Sequence, residues 1–424
     1  MTTSPSDTAL PVLAIVLDSP LREFFPLTYV EAAAGVCRPL WVTLRDDVET
    51  KRYVRILRRS GDVVDVCGRS EEQAAEAIRG HAPGGIVAFY ESNVPWTARV
   101  AELLRLPYHS VGTAAALSDK WEQRRSLRDH GLRTPGFWDV GELARDEALL
   151  GRVAHHAAYP LIAKPRSGRA SRDMVRVPGP DALKALVASS GPEPMVVEEF
   201  IPDPSTSLTG VDNAYYVSVE TLVSHGVVSV LGVTGRHPLV EPFREAGLFF
   251  PAEVSDELHD ELVDVAAEAV RALGVEFGAL HVEVKVTDTG PVVIELNPRP
   301  GGSALPDLLE HAFGLNIFQV AMRIALGERV TYRDLPRPED VGYSVYVLPD
   351  MELRRITRVS GLDTLSAIDG VNSVIPKRGA GDDIDPHEGM MEYIVRVAGI
   401  ASDHDARRRI REQILAQVVV SGHS

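Results

Sequence analysis

Glu283, Glu295 and Asn297 are the residues whose types and spacing most directly suit chemistry. Glu295 and Asn297 lie two apart in the apolar run 291–297, and a strand presents such a pair on one face. Glu283 lies in the run before it, 279–286, and Thr287-Asp288-Thr289-Gly290 between them reads as a hairpin turn. Pairing the two runs sets Glu283 across from the other two. Three oxygen-bearing side chains on one patch, two of them anionic, suit a hard divalent cation such as Mg2+. Their apolar neighbours Val292, Val293, Ile294 and Leu296 imply burial on one side, and a buried carboxylate calls for a counter-ion. The competing reading is a solvated acidic patch on an exposed sheet face.

The next residues are Pro298-Arg299-Pro300-Gly301-Gly302-Ser303. Two glycines let backbone approach a ligand and offer free N–H groups. An arginine beside a metal patch suits a two-pronged grip on phosphate or carboxylate; the plain alternative is a turn with a surface arginine. Lys164 closes the apolar run Leu161-Ile162-Ala163 and is followed by Arg166, Ser167, Gly168, Arg169, Ala170, Ser171 and Arg172. That small, hydroxylated, basic loop has the composition of a phosphate cover, or of a solvated basic turn. It is not a Walker A loop, because no GxxxxGK[ST] pattern is present. Glu198 and Glu199 end another apolar run before Phe200 and Ile201, and adjacent strand residues face opposite ways.

The elements that must hold these groups are legible as alternating patterns. LAIVL, PLWVTL (39–44) and GIVAFY (85–90) read as strands, with helices over 71–79 and 98–104 between and after them, which implies parallel βαβ units. Ser118 is read as the cap of a helix over 119–130, stopped by Gly131. YPLIAKP (159–165) and MVVEEFI (195–201) read as strands. The runs 215–223 and 227–234 read as a hairpin turned at His225-Gly226. The segment 255–273 is a strongly amphipathic helix, with Leu258, Leu262, Val265, Ala266, Ala269, Val270 and Leu273 on one face and Gly274 as its stop. After a polar, proline-containing linker from 331, GYSVYVL and YIVRVAG read as short strands and 402–418 as a final helix.

At 424 residues the chain is long enough for two to four domains. A net charge of −16 argues against nucleic acid or an anionic membrane as partner, so any phosphate site must be built locally. Two cysteines, Cys37 and Cys67, support neither a disulfide framework nor a cysteine-rich zinc site. The apolar run 9–17 has no basic residue before it and is too short to span a bilayer; it reads as a buried strand, and the expected location is cytoplasmic. No GxGxxG fingerprint supports a dinucleotide-binding domain.

Taken in order, several motifs resemble the ATP-grasp superfamily. They are SDK at 118–120, YPLIAKPRSGRAS at 159–171, VVEEFI at 196–201, SVE at 218–220 and HVEVK…VVIELNPRPGG across 281–302. Within it, the IELNPRPGG form and the C-terminal piece look most like the L-amino acid ligases, including dipeptide ligases of the alanine–anticapsin and carnosine synthase type. The resemblance implies an α/β ATP-grasp fold: an N-terminal parallel α/β domain (1–115), two α+β lobes clasping ATP (116–194 and 195–330), and a small C-terminal α+β domain (331–424). It implies that Lys120 and Lys164 hold ATP phosphates, that Ser167, Gly168 and Ser171 belong to the closing loop, and that Glu198, Glu199, Phe200 and Ile201 form the adenine hinge. Glu283, Glu295 and Asn297 would bind one or two Mg2+, with Mn2+ as a substitute. Arg299 would steady the acyl phosphate and the tetrahedral intermediate, and Gly301 and Gly302 would position the acyl substrate.

The chain departs from the family pattern in two places. The loop reads SRDM at 171–174 where relatives carry a further glycine, and 202–215 is longer than the usual turn. The ribose ligand is therefore not assigned, Glu220 is a candidate nucleotide-site residue on its strand, and Arg236 replaces a lysine near the phosphates as a second catalytic candidate beside Arg299. The implied reaction joins a carboxylate, activated as an acyl phosphate, to an amine, with amino acids as small-molecule substrates and a homodimer as the assembly. Purine-pathway or carboxylase-like ATP-grasp chemistry and a non-catalytic ATP-binding regulator are the alternatives. A metallohydrolase built on His281, Glu283 and Glu295 leaves Lys164 and its loop unexplained, and His281 reads as a satisfied strand histidine.

Overall fold

The computed structural model describes residues 10–17, 26–168, 173–206, 208–210, 213–241, 244–333 and 335–424. The described residues form four sheets. In the first, Val12–Leu17, Arg38–Thr43, Asp62–Asp65 and Gly85–Ala88 run parallel, with Val12–Leu17 inside and Asp62–Asp65 at one edge. Leu13 to Leu17 are all buried, which is why that run carries no polar residue. The edge strand holds only two apolar residues, Val63 and Val64, too few to be read from sequence. The helix Glu71–Arg79 begins at Ser70 with a reciprocal cap to Gln73.

The second sheet is antiparallel, in the order Phe137–Asp139, Met195–Glu199, Leu161–Pro165, Val175–Val177. Its apolar face is covered by the helices Val140–Arg145, Glu147–His156 and Pro180–Ser189 through Leu143, Val153, Leu183 and Val187. The helix Lys120–Asp129 is capped by Asp119 rather than the expected Ser118. Ser118 is the last residue of the preceding helical turn, whereas Asp119 is extended and its carboxylate accepts from Trp121 and Glu122 N–H.

The third sheet has eight strands and runs from Val292–Asn297 through Phe277–Lys285, Tyr216–Ser224, Val227–Arg236, Gly247–Phe250, Val341–Val347 and Val395–Ala401 to Val371–Pro376. The turn His225-Gly226 has positive φ at both residues (51° and 75°), as a two-residue hairpin requires. Asp256–Ala272 packs on this sheet: Leu262, Ala266, Ala269 and Val270 meet Val219, Val233, Val282 and Leu296. The helices Leu305–Phe313 and Ile317–Ala325 join Leu222, Leu231, Leu248 and Phe250 of the eight-stranded sheet to Leu13, Ile15 and Val87 of the parallel sheet in one core. The sheet continues without a break past position 330, so the C-terminal strands extend the same surface that carries Glu283 and Glu295. A small fourth sheet pairs Arg355–Ser360 with Val419–His423. No helix among the described residues is long and apolar enough to cross a membrane.

Candidate active site

A cavity of about 1330 Å3 is lined by residues of the second and third sheets and of the strands beyond 341. Glu283 and Glu295 are direct cross-strand partners, and Asn297 pairs with His281 two residues along. The expected patch therefore exists, with Asn297 Nδ2 3.5 Å from Glu283 Oε1. Glu283 has its pKa pushed up to about 7, by burial first, with the charges of Glu295 and Glu245 adding to it against His281 and Arg236. Glu295 is held by Lys120 at 2.8 Å, and the same ammonium donates to Gly168 O at 2.8 Å. Burial alone would depress the Lys120 pKa, but Glu295, Glu91 and Glu283 hold it above the ordinary lysine value. The strand is clamped by a residue the sequence reading passed over: Gln123 bonds both the N–H and the C=O of Leu296 at 2.9 Å.

At the hinge, Lys164 reaches Glu198 at 2.9 Å, and Arg124 grips the same carboxylate with two bonds of 2.9 Å. Burial would raise the Glu198 carboxyl, but Arg124 and Lys164 hold it down at about 2. Arg124 lies four residues after Lys120 on one helix, so the two share a face; that spacing was the available signal for it. Glu199 points the other way, as alternation demands, and accepts from Gly136 and Ala158 N–H at 3.1 and 2.8 Å. Phe200 N–H is spent on Pro160 O, whereas Ile201 N–H has no hydrogen-bond partner among the described residues and Ile201 lines the cavity. The base of the basic loop is pinned by Arg166 to Asp119 and Asp139, and Ser167 Oγ donates to Ser118 O at 3.0 Å. Gly168 lines the cavity, while Ser171 falls outside the described residues.

Glu220 is one layer deeper than the nucleotide ligand it was expected to be. Its carboxylate is fully buried, is absent from the cavity lining, and is occupied by Ser218 Oγ, Thr234 Oγ1 and His281 Nδ1 at 2.8 to 3.1 Å. Arg236 donates to His281 Nε2 at 3.1 Å; since arginine only donates, the imidazole proton sits on Nδ1 and points at Glu220. The expected satisfied histidine is thus an oriented one, its ring lining the cavity with Nε2 3.7 Å from Glu283. Gly301 also differs from expectation. A side chain there would meet Leu305 at 2.2 Å and His281 at 2.8 Å, so its small size serves packing over this network, while Gly302 is the glycine that lines the cavity.

Arg299 lines the cavity and is anchored by Glu91 at 2.7 Å. Glu91 follows the C-terminal end of the parallel strand Gly85–Ala88, where open α/β sheets commonly place functional residues. Among the described residues no group of three or more His, Cys, Asp or Glu could hold a metal ion, and the expected patch offers two carboxylates and the Asn297 amide.

Residues 117–303 match the profile of the ATP-grasp domain. The chain carries an ATP-grasp domain. The segment matched contains Lys120, Lys164, the hinge, the glutamate strip and Arg299. The chain has the fold of an L-amino acid ligase from Bacillus licheniformis, with a TM-score of 0.74 at 21% identity over 98% of this chain and 100% of the other. It is 28% identical over 301 residues to the uncharacterized protein y4rH of Sinorhizobium fredii, covering 68% of this chain and 58% of that one. It is 26% identical over 309 residues to the carbamoyl phosphate synthase large chain of Rubrobacter xylanophilus, covering 69% and 27%. The match thus takes in less than two thirds of either curated relative.

Proposed function

We propose that the protein is an ATP-dependent carboxylate–amine ligase that joins an amino acid to a second amino acid or amine, releasing ADP and phosphate. The observation that carries this reading is the single cavity in which the Glu283–Glu295–Asn297 strip, Lys120, Lys164 and Arg299 all stand. The Bacillus licheniformis L-amino acid ligase shares the fold over 98% of this chain, which supports the choice of reaction class.

The donor set fits Mg2+. Two half-buried carboxylates face each other, desolvation and the charge of Glu295 raise the Glu283 carboxyl, and Lys120 offsets only part of that. Glu283, Glu295 and Asn297 would hold the ion, which, when bound, supplies charge neutralisation for the ATP phosphates. Lys120 and Lys164, which both line the cavity, would hold phosphate oxygens. The Ile201 N–H and the Glu199 backbone offer a hinge edge for the purine base. Arg299, fixed by Glu91, is placed to steady the charge of the tetrahedral intermediate.

A carboxylate oxygen attacks the γ-phosphorus and ADP leaves; the amine then attacks the acyl carbon and phosphate leaves with that oxygen. Arg236 is held by Ser218 and His281 and lines the cavity, in reach of the phosphate end. The test is phosphate release from Mg-ATP against a panel of carboxylates, amino acids and amino acid pairs. The reading expects an amino acid pair to stimulate release and an amide of the summed mass, less water, to appear by mass spectrometry. Stimulation by bicarbonate alone, or tight ATP binding with no stimulation by any carboxylate, overturns it.

A further inference from the structure

Part of the cavity wall comes from strands beyond 341. Arg396 stands in register with Tyr346 on one side and Ile375 on the other, so the three side chains share one face of the sheet, and all three line the cavity. Tyr346 lines the cavity together with Ser303, the residue after Gly302. Arg396 is therefore one strand removed from the loop that carries Arg299.

The cations on this wall differ in what they already hold. Arg378 is closed on Glu392 by two bonds of 3.0 and 2.6 Å, and Lys377 lies over the Tyr393 ring at 4.6 Å. Arg396 has no ion pair and no hydrogen bond from its guanidinium among the described residues, and its Nε is buried without a partner. Asp307 feels the Arg396 charge but does not close on it. A planar, always-charged group left open to a cavity is matched by a planar anion from outside, and a carboxylate takes two of its N–H groups at once.

We propose that Arg396 binds the carboxylate of the amine substrate, so that the acceptor is an amino acid and not ammonia or a simple amine. This rests on the ligase reading above. In that reaction the acyl donor's carboxylate is consumed beside Arg299, and the carboxylate left over is the acceptor's. Arg396 is a specificity residue here, acting on binding of one substrate and not on the acyl transfer itself.

The test compares full-length wild type, Arg396→Leu and Arg396→Lys with Mg-ATP, one acyl donor, and an acceptor amino acid or its carboxamide. Arg396→Leu is expected to raise KM for the amino acid acceptor by about tenfold or more, the scale of a charge-assisted hydrogen bond. KM for ATP and for the donor stays unchanged, Arg396→Lys recovers part of the loss, and the carboxamide is used equally by wild type and Arg396→Leu. An unchanged KM for the amino acid, or an equal rise for amino acid and carboxamide, overturns the assignment. Should the wild type form no amide with any pair, the ligase reading falls, and calorimetry with a non-hydrolysable ATP analogue still decides the subsite. Amino acid binding lost in Arg396→Leu supports it, and equal binding in both proteins sinks it.

Discussion

Glu198 and Glu283 both line one cavity, the first buried and the second half-buried, and their surroundings push them in opposite directions. Glu198 is enclosed by Arg124 and Lys164 and is held at about 2. Glu283 faces Glu295, with Glu245 near, and is pushed up to about 7. The hinge end is an ion cluster closed within the protein, while the strip is left short of positive charge. A closed cluster holds geometry; an open one makes room for a cationic ligand. The difference predicts that substitutions at the hinge act first on folding and substitutions on the strip act first on turnover.

The largest effect is expected from Glu198→Gln, which leaves Arg124 and Lys164 buried without their anion. Breaking such a pair costs about 3–5 kcal/mol, to be read from the urea unfolding midpoint. A variant as stable as wild type would remove the contrast with the strip. Next comes Glu295→Gln. Phosphate release should fall about 100-fold or more, the scale of losing one charge-stabilising group, while stability shifts by about 1 kcal/mol or less. Equal losses of stability in both variants would show that the strip is structural too. Glu91→Gln frees Arg299 from its anchor, and kcat is expected to drop about tenfold or more through mispositioning, with KM for ATP unchanged.

The smallest effect is in acid. Because the Glu198 value is depressed from 4.5 to about 2, the stability it contributes is present above its unfolded value and is lost as pH falls toward 2. The gap in urea midpoint between wild type and Glu198→Gln should therefore narrow from about pH 5 to about pH 2. A gap that stays constant would mean that Glu198 is not the titrating group.

The strip and its hairpin were legible because period-two alternation fixes which residues share a face, and Glu283 does lie opposite Glu295. The same rule separated Glu198 from Glu199 before their partners were known. What sequence could not give was depth. Glu220 lies on the expected strand, but it is fully buried beside Gly301 and away from the cavity lining. Nor could it give contacts made across the chain. Glu91 meets Arg299 208 positions away, and Arg396 reaches the site only because the sheet continues into the C-terminal strands. Residues that act through their own strand were readable; those that act through a neighbouring element were not.

The central claim is that a carboxylate is activated on ATP before an amine takes the acyl group. The most direct measurement starts from an acyl donor labelled with oxygen-18 in its carboxylate and follows the released phosphate by phosphorus NMR. One labelled oxygen per phosphate is the predicted result, because the attacking carboxylate oxygen leaves with the phosphoryl group. Phosphate free of label, formed at the same rate as the amide, would contradict it.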